Sequence, residues 1–303
     1  MTRILATGIG SLLERNAPVP VPEPYIDAHS HIWTPDVAHY PLAEGFAAEG
    51  MKPRSFTAEE LLATCRPAGV GRVNLIQMSF YGFDNSYMLA MIKLYPERFV
   101  GTAIVDPLGP GPDAAMRALL PAGVRAFRIA PNYSKLPPGR WLEPPGYSAM
   151  YAAAARTGQA LSCLINPDAF AEVDRMCTRF PDTTVIIDHL GRVGADGTIR
   201  DADVDALCAL AKHPKVLVKV GAFYALGKKT PPYLDLAPLI KRVVQAFGAR
   251  RCMWESDCPF QVVAHTYTDS LALVRDRLDF LSPDDRDRLL RRTAEQTLFR
   301  LPG

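Results

Sequence analysis

The sequence contains no Cys-x-x-Cys, although it holds six cysteines, at 65, 163, 177, 208, 252 and 258. That gap argues against a zinc ribbon and a thioredoxin-type redox pair. No stretch approaches the ~18 apolar residues of a membrane span. Neither sign of charge dominates: 34 Lys and Arg face 32 Asp and Glu, a formal net charge of +2. A general nucleic-acid binder normally shows a clustered basic surface, so this balance argues against one. No Gly-x-Gly-x-x-Gly follows the first strand-like run, so a dinucleotide fold lacks its fingerprint. No Gly-x-Ser-x-Gly marks a serine-hydrolase nucleophile elbow.

What is present is a chain of 303 residues, 48% hydrophobic and 22% charged. That is globular composition, and it is long enough to bury a core without disulfides. Free cysteines in a reducing compartment, and hence a cytoplasmic protein, are the expectation. The length suits two domains or one α/β barrel of about 250 residues. Residues 1–24 begin with one Arg and a short apolar stretch, then run through a Pro-rich segment from Pro18 to Pro24. With no convincing small-x-small cleavage site, they read as an extended N-terminal arm rather than a signal peptide.

From Tyr25 onward, apolar β-rich runs alternate with helix-period segments. Eight strands are predicted: Tyr25–His29, Arg72–Gln77, Phe99–Val105, Val124–Ile129, Ala160–Ile165, Thr184–Asp188, Val216–Val220 and Arg251–Glu255. Between them lie helical patterns at Ala58–Arg66, Ser86–Tyr95, Pro112–Leu120, Tyr147–Thr157, Asp168–Phe180, Asp203–Lys212 and Leu234–Phe247. Thr268–Leu281 and Pro283–Phe299 add two more. Strands such as Val-Leu-Val-Lys-Val are apolar on both faces, as buried parallel strands are. Eight repeats point to one α/β domain over residues 25–303, a (β/α)8 TIM barrel with an extra C-terminal helix.

In such a barrel, chemistry sits where the strands end. Strand 1 runs into Asp27-Ala28-His29-Ser30-His31, and a period of two puts His29 and His31 on one side. Two adjacent imidazoles can share a divalent cation. Strand 6 ends in Asp188-His189 and strand 8 in Glu255-Ser256-Asp257. Each signal is ordinary alone. Metal-competent groups at three strand ends of one barrel are not, and they predict a metal-capable site.

Several segments resemble the amidohydrolase superfamily, in its amidohydrolase 2 branch. They are Tyr25–Trp33, Gln77 with Tyr81-Gly-Phe-Asp-Asn85, Tyr95–Gly101, Gly123–Arg128, Asp188-His-Leu-Gly191, Val218-Lys-Val220, Met253–Pro259 and the terminal Ala294–Leu301. Within that branch the chain is most similar to the lactonase group, which includes 2-pyrone-4,6-dicarboxylate lactonase, sugar-acid lactonases and 4-sulfomuconolactone hydrolase. The resemblance implies one divalent metal, zinc or else manganese, on His29, His31, His189 and Asp257. Some members of the group work without a metal, so metal-free catalysis stays open. The chain departs from the superfamily pattern at strand 4, where Arg128 stands in place of a bridging lysine. Strand 5 lacks the usual histidine, and Glu255 stands where many relatives have a small residue. These departures favour a single metal over a pair.

The expected reaction is hydrolysis of a lactone or related ester ring on a small carboxylated or polyhydroxylated substrate. Asp257 has the chemistry of a general base, and a divalent metal lowers the pKa of water from about 15.7 towards about 7. His189 is a candidate to stabilise the oxyanion, with His31 beside it. An anionic small molecule needs donors, and Arg128 and Lys219 are candidates, each with an ion pair inside the barrel as the competing reading. Gln77, Tyr81, Asn85 and His265 complete the expected substrate contacts; for Tyr81, packing is the safer reading. Tyr133 and Tyr224 also follow strands and are candidates to shape the pocket, with aromatic packing the safer reading for each. An alternative is a metal-dependent decarboxylase or C–C hydrolase of the same branch, which the missing strand 5 histidine disfavours. A non-catalytic binding barrel is the remote alternative. No nucleic-acid or membrane partner is expected, and a homo-oligomer is left open.

Overall fold

The computed structural model describes residues 24–300, so the expected N-terminal arm lies outside the described residues except for Pro24. Eight strands form one parallel sheet in sequence order: β1 Tyr25–Ser30, β2 Val70–Ile76, β3 Phe99–Ala103, β4 Val124–Ile129, β5 Ala160–Cys163, β6 Val185–Ile187, β7 Val216–Val220 and β8 Cys252–Trp254. Just beyond β8 the sheet meets β1 again. Asp257 donates its backbone N–H to the His29 carbonyl at 2.9 Å, and His31 donates to the Cys258 carbonyl at 2.7 Å. The sheet thus closes on itself as a (β/α)8 barrel.

The crossovers carry α1 Ala58–Cys65, α2 Ser86–Leu94, α3 Pro112–Leu119, α4 Pro145–Thr157, α5 Phe170–Arg179, α6 Asp201–Ala209 and α7 Ala237–Phe247. After β8 come α8 Phe260–Ala264, α9 Tyr267–Ala272 and α10 Pro283–Asp287. The two terminal helices expected at Thr268–Leu281 and Pro283–Phe299 are less regular than their periodicity suggests. Each passes from α-helical into π-helical turns, at Leu273–Arg277 and at Arg288–Arg292 and Glu295–Phe299. The Ser282-Pro283 start is a capping box, in which Ser282 Oγ accepts from the Asp285 N–H at 3.1 Å. Strands β6 and β8 are three residues each, shorter than their apolar runs, because the chain turns away at Asp188 and Glu255.

The barrel interior is built in layers, as the fold requires. A lower apolar layer holds Ile26, Ala28, Val100, Ala126, Ala160, Ile186, Leu217 and Met253, and Ala294 and Leu298 pack with it. Two residues further along six strands, on the same face, the side chains become Thr102, Arg128, Ser162, Asp188, Lys219 and Glu255, all buried. One strand is out of phase. Asp27 pairs with Val73 and Ser30 with Leu75, so β1 spends three residues where β2 spends two. That bulge lets β1 contribute Ala28 to the apolar layer and still bring His29 and His31 to the polar end.

Candidate functional site

The polar layer sets the chemistry above it. Lys219, fully buried, places Nζ 2.9 Å from Asp188 Oδ1 and 3.2 Å from Ser162 Oγ and from His29 Nδ1. Ser162 donates to Asp188 Oδ1 at 2.7 Å. Burial alone would raise the Asp188 carboxyl, but the Lys219 charge and His29 hold it well below the usual carboxylate range. A buried lysine without such a partner would be costly. The sequence offers Lys219 either a substrate contact or an ion pair inside the barrel. The structure favours the ion pair over the substrate contact: Lys219 has an exposure of 0% and lies beneath the cavity with its ammonium on Asp188.

Glu255 stands between two imidazoles. Oε1 accepts from the His189 backbone N–H at 3.0 Å and lies 2.7 Å from His189 Nδ1, and Oε2 lies 3.0 Å from His29 Nδ1. The residue that looked like a departure from pattern orients both histidines through their Nδ1 atoms, as carboxylates behind metal-binding histidines do. Burial raises the Glu255 carboxyl, but the two histidines overcome it and lower its pKa. The chain reaches this geometry through close backbone approach. A Cβ on Gly221, just past β7, would stand 2.1 Å from the Glu255 carbonyl oxygen. His189 and Asp257 take left-handed backbone angles, φ 55° and 58°, rare for residues other than glycine and typical of strained functional turns.

The tautomers follow from these partners. His31 Nδ1 faces the Ile76 carbonyl at 3.0 Å, an atom that only accepts, so Nδ1 carries the hydrogen. Burial lowers the His31 pKa to about 4, leaving the ring neutral at pH 7. His29 Nδ1 likewise donates to Glu255. Both Nε2 atoms then present lone pairs, 3.2 Å apart. Asp257 Oδ1 lies 3.5 Å from His29 Nε2 and 3.2 Å from His31 Nε2, and it is buried without a hydrogen-bond partner among the described residues. With both rings in the tautomer that keeps hydrogen on Nδ1, three electron-pair donors converge. Donors at tetrahedral zinc distances stand about 3.3–3.6 Å apart, so the set fits a divalent cation. His29, His31 and Asp257 would hold it.

His189 reaches the same cavity from the far side of Asp257, with Nε2 4.0 Å from Oδ2. Burial lowers the His189 pKa, but the Glu255 and Asp257 charges outweigh it and raise it above the ordinary value. Burial also pushes the Asp257 carboxyl up, yet the surrounding histidines hold it far below its normal range. The pair therefore favours imidazolium and carboxylate. Tyr224 donates to Asp257 Oδ2 at 2.7 Å.

Above these groups lies a cavity of about 350 Å³ whose wall includes His31, Gln77, Arg128, His189, Tyr224 and Asp257. Arg128 rises from the barrel interior with its Nε 3.7 Å from Asp188 Oδ2, too far for a hydrogen bond. Gln77 lines the cavity while its amide donates to the Asp84 carbonyl at 2.6 Å. Three expected contacts are elsewhere. Asn85 spends its amide on both backbone groups of Ile104, at 2.8 and 3.0 Å, and ties the β2 loop to β3. Tyr81 uses its hydroxyl on the Thr34 N–H. His265 is half-buried and lies on the Lys229 carbonyl at 3.1 Å. Sequence reasoning missed Arg192, which directly follows Asp188-His-Leu-Gly191, and Asn132, both of which line the cavity, and it preferred packing for Tyr224.

Comparison with known proteins agrees with this architecture. A family model described as "Amidohydrolase" matches residues 26–300. An L-fucono-1,5-lactonase of Burkholderia ambifaria is 26% identical over 279 residues, covering 87% of this chain and 91% of that protein. A 4-sulfomuconolactone hydrolase of Rhizobium radiobacter is 25% identical over 249 residues, covering 81% and 79%. The crystal structure of an amidohydrolase from Burkholderia multivorans with bound zinc superposes with a TM-score of 0.73 at 21% identity, covering 92% of this chain and 99% of that one.

Proposed function

Since this chain belongs to the amidohydrolase family, we propose that it hydrolyses the ring of a small anionic lactone, with one divalent metal held by His29, His31 and Asp257. The observation that carries the reading is the convergence of two imidazole lone pairs on the buried, unpartnered Oδ1 of Asp257. The lactone specificity rests on the two related enzymes, and zinc on the nitrogen and oxygen donors. A divalent cation there supplies Lewis-acid polarisation and makes water a stronger acid at neutral pH.

The chain's own groups do the rest. Arg128 binds the substrate's anionic group at the cavity wall. Asp257, ionised at neutral pH, accepts a proton from the attacking water. The oxygen of that water bonds to the ring carbonyl carbon, and charge develops on the carbonyl oxygen. His189, protonated beside Glu255 and Asp257, donates a hydrogen bond to that oxyanion. As the ring C–O bond breaks, the Asp257 carboxyl returns its proton to the departing oxygen, which leaves a hydroxy acid. Lys219 acts at one remove, fixing Asp188. Decarboxylase chemistry is disfavoured because β5 offers no histidine; its inward residue is Ser162, occupied by Lys219 and Asp188.

The test is metal content of the purified protein, with a lactone panel assayed before and after chelation and in Asp257→Asn. The reading expects near-stoichiometric metal, activity lost on chelation, and a fall of about 10²–10⁴-fold or more in the variant. Full activity after complete metal removal would overturn the metal assignment. An unreactive lactone panel would overturn the reaction.

A further inference from the structure

The cavity does not end at Arg192. A second hollow of about 370 Å³ lies over the ends of β4 and β5, and it shares Asn132, Leu164 and Arg192 with the first. Its wall also carries Asn166 and Asp168. Asn132, Asn166, Asp168 and Arg192, all exposed, make no side-chain hydrogen bond or ion pair to any described residue, while the neighbouring Ser162 and Asn85 spend theirs within the fold. Arg192 also holds a left-handed backbone, φ 54°, which is uncommon outside glycine and turns an unpaired guanidinium to the seam between the hollows.

We propose that the second hollow is a subsite for a hydroxylated substituent of the substrate, a glycosyl or polyol group attached to the part that lies over Asp257. The donor and acceptor mix supports this class. Two carboxamides offer both functions, a carboxylate accepts and a guanidinium donates. Vicinal hydroxyls need that combination. A purely anionic extension would meet Asp168, and a purely apolar one would leave four polar groups stripped of water. The proposal rests on the hydrolase reading for what occupies the first hollow, but its test does not require turnover.

The test compares the binding of two hydroxy acids by calorimetry at one ionic strength: D-gluconate, and cellobionate, which is gluconate bearing a glucosyl group. The subsite expects cellobionate to bind tighter by on the order of tenfold, the worth of one or two added hydrogen bonds. In Asp168→Ala and, separately, Asn166→Ala, that ratio falls toward one. Both positions are exposed, and a thermal melt confirms that each variant is folded. Equal affinity for the two acids, no binding of either, or a ratio untouched by both substitutions would overturn the subsite. Failure of the lactone panel with the ratio intact would overturn the hydrolase reading and leave the subsite standing.

Discussion

Tyr224 gives its phenolic hydrogen to Oδ2 of Asp257 at 2.7 Å, so the carboxylate is held with Oδ1 turned to the Nε2 atoms of His29 and His31. The two oxygens of one side chain thus face different neighbours. Burial and the adjacent carboxylate raise the Tyr224 pKa, so the phenol keeps its proton. Tyr224→Phe removes this single bond and little packing. We expect kcat to fall by roughly tenfold or more, the worth of a hydrogen bond to a charged group, with KM changed much less. Steady-state kinetics on the best lactone checks this. An unchanged kcat would show that Asp257 needs no such hold.

Lys219→Met should destabilise the fold by about 3–5 kcal/mol, because it strands Asp188 as an uncompensated buried charge. Adding Asp188→Asn should recover part of the loss, since the two residues are in direct contact. Urea unfolding of the single and double variants measures the coupling. Strictly additive losses would mean that the ion pair is not a unit.

The acidic side of the stability profile follows from Asp188 and Glu255. Each carboxyl is held below its unfolded value, 3.8 for Asp and 4.5 for Glu, once burial has been outweighed by Lys219 or the histidines. A depressed carboxyl contributes stability that is complete above the unfolded pKa and is lost as pH falls through the folded one. His189 has the opposite sign: raised above 6.5, it stabilises at lower pH, and its contribution is lost as pH rises through the folded value. Urea midpoints measured with chelator present should therefore drop steeply below about pH 4.5 and ease downward on the alkaline side. A flat profile from pH 3 to 6 would contradict the placement of these carboxylates.

Gly221→Ala should cost about 1–3 kcal/mol by overpacking, and it should also weaken metal retention. The added methyl would meet the Glu255 carbonyl oxygen at 2.1 Å and its Cγ at 2.2 Å, so it moves the carboxylate that orients His29 and His189. Thermal melts with and without added metal separate the two effects. A variant as stable as the parent and as tight for metal would mean that β7 and β8 can part without consequence.

Strand number and order were legible because each buried parallel strand is a short apolar run set off by a helical period. His29 and His31 were legible through their spacing. What spacing could not show is the β1 bulge that lets Ala28 and His29 serve different layers. Glu255 read as an anomaly because its role depends on two rings from other strands. Lys219 was open between a substrate contact and an ion pair with a barrel carboxylate, because spacing alone does not show which strand-end carboxylate its ammonium reaches. Arg192 and Asn132 sit in loops, where their place over the barrel depends on backbone angles that side-chain identity does not encode. Asn85 was noticed as a motif residue, but its amide pins neighbouring backbone instead of facing the cavity.

The plug of Ala294 and Leu298 under the apolar layer has a bearing on reaction order. Among the described residues hydrocarbon fills the base of the barrel while the cavity over Asp257 lies at the other end, so we expect both reactants to arrive through the same mouth. Water must therefore be in place before the ring-bearing molecule settles, or must slip in beside it. A bulky ligand wedged across that mouth would then starve the pocket of its second reactant, and inhibition by excess substrate is the kinetic trace it would leave.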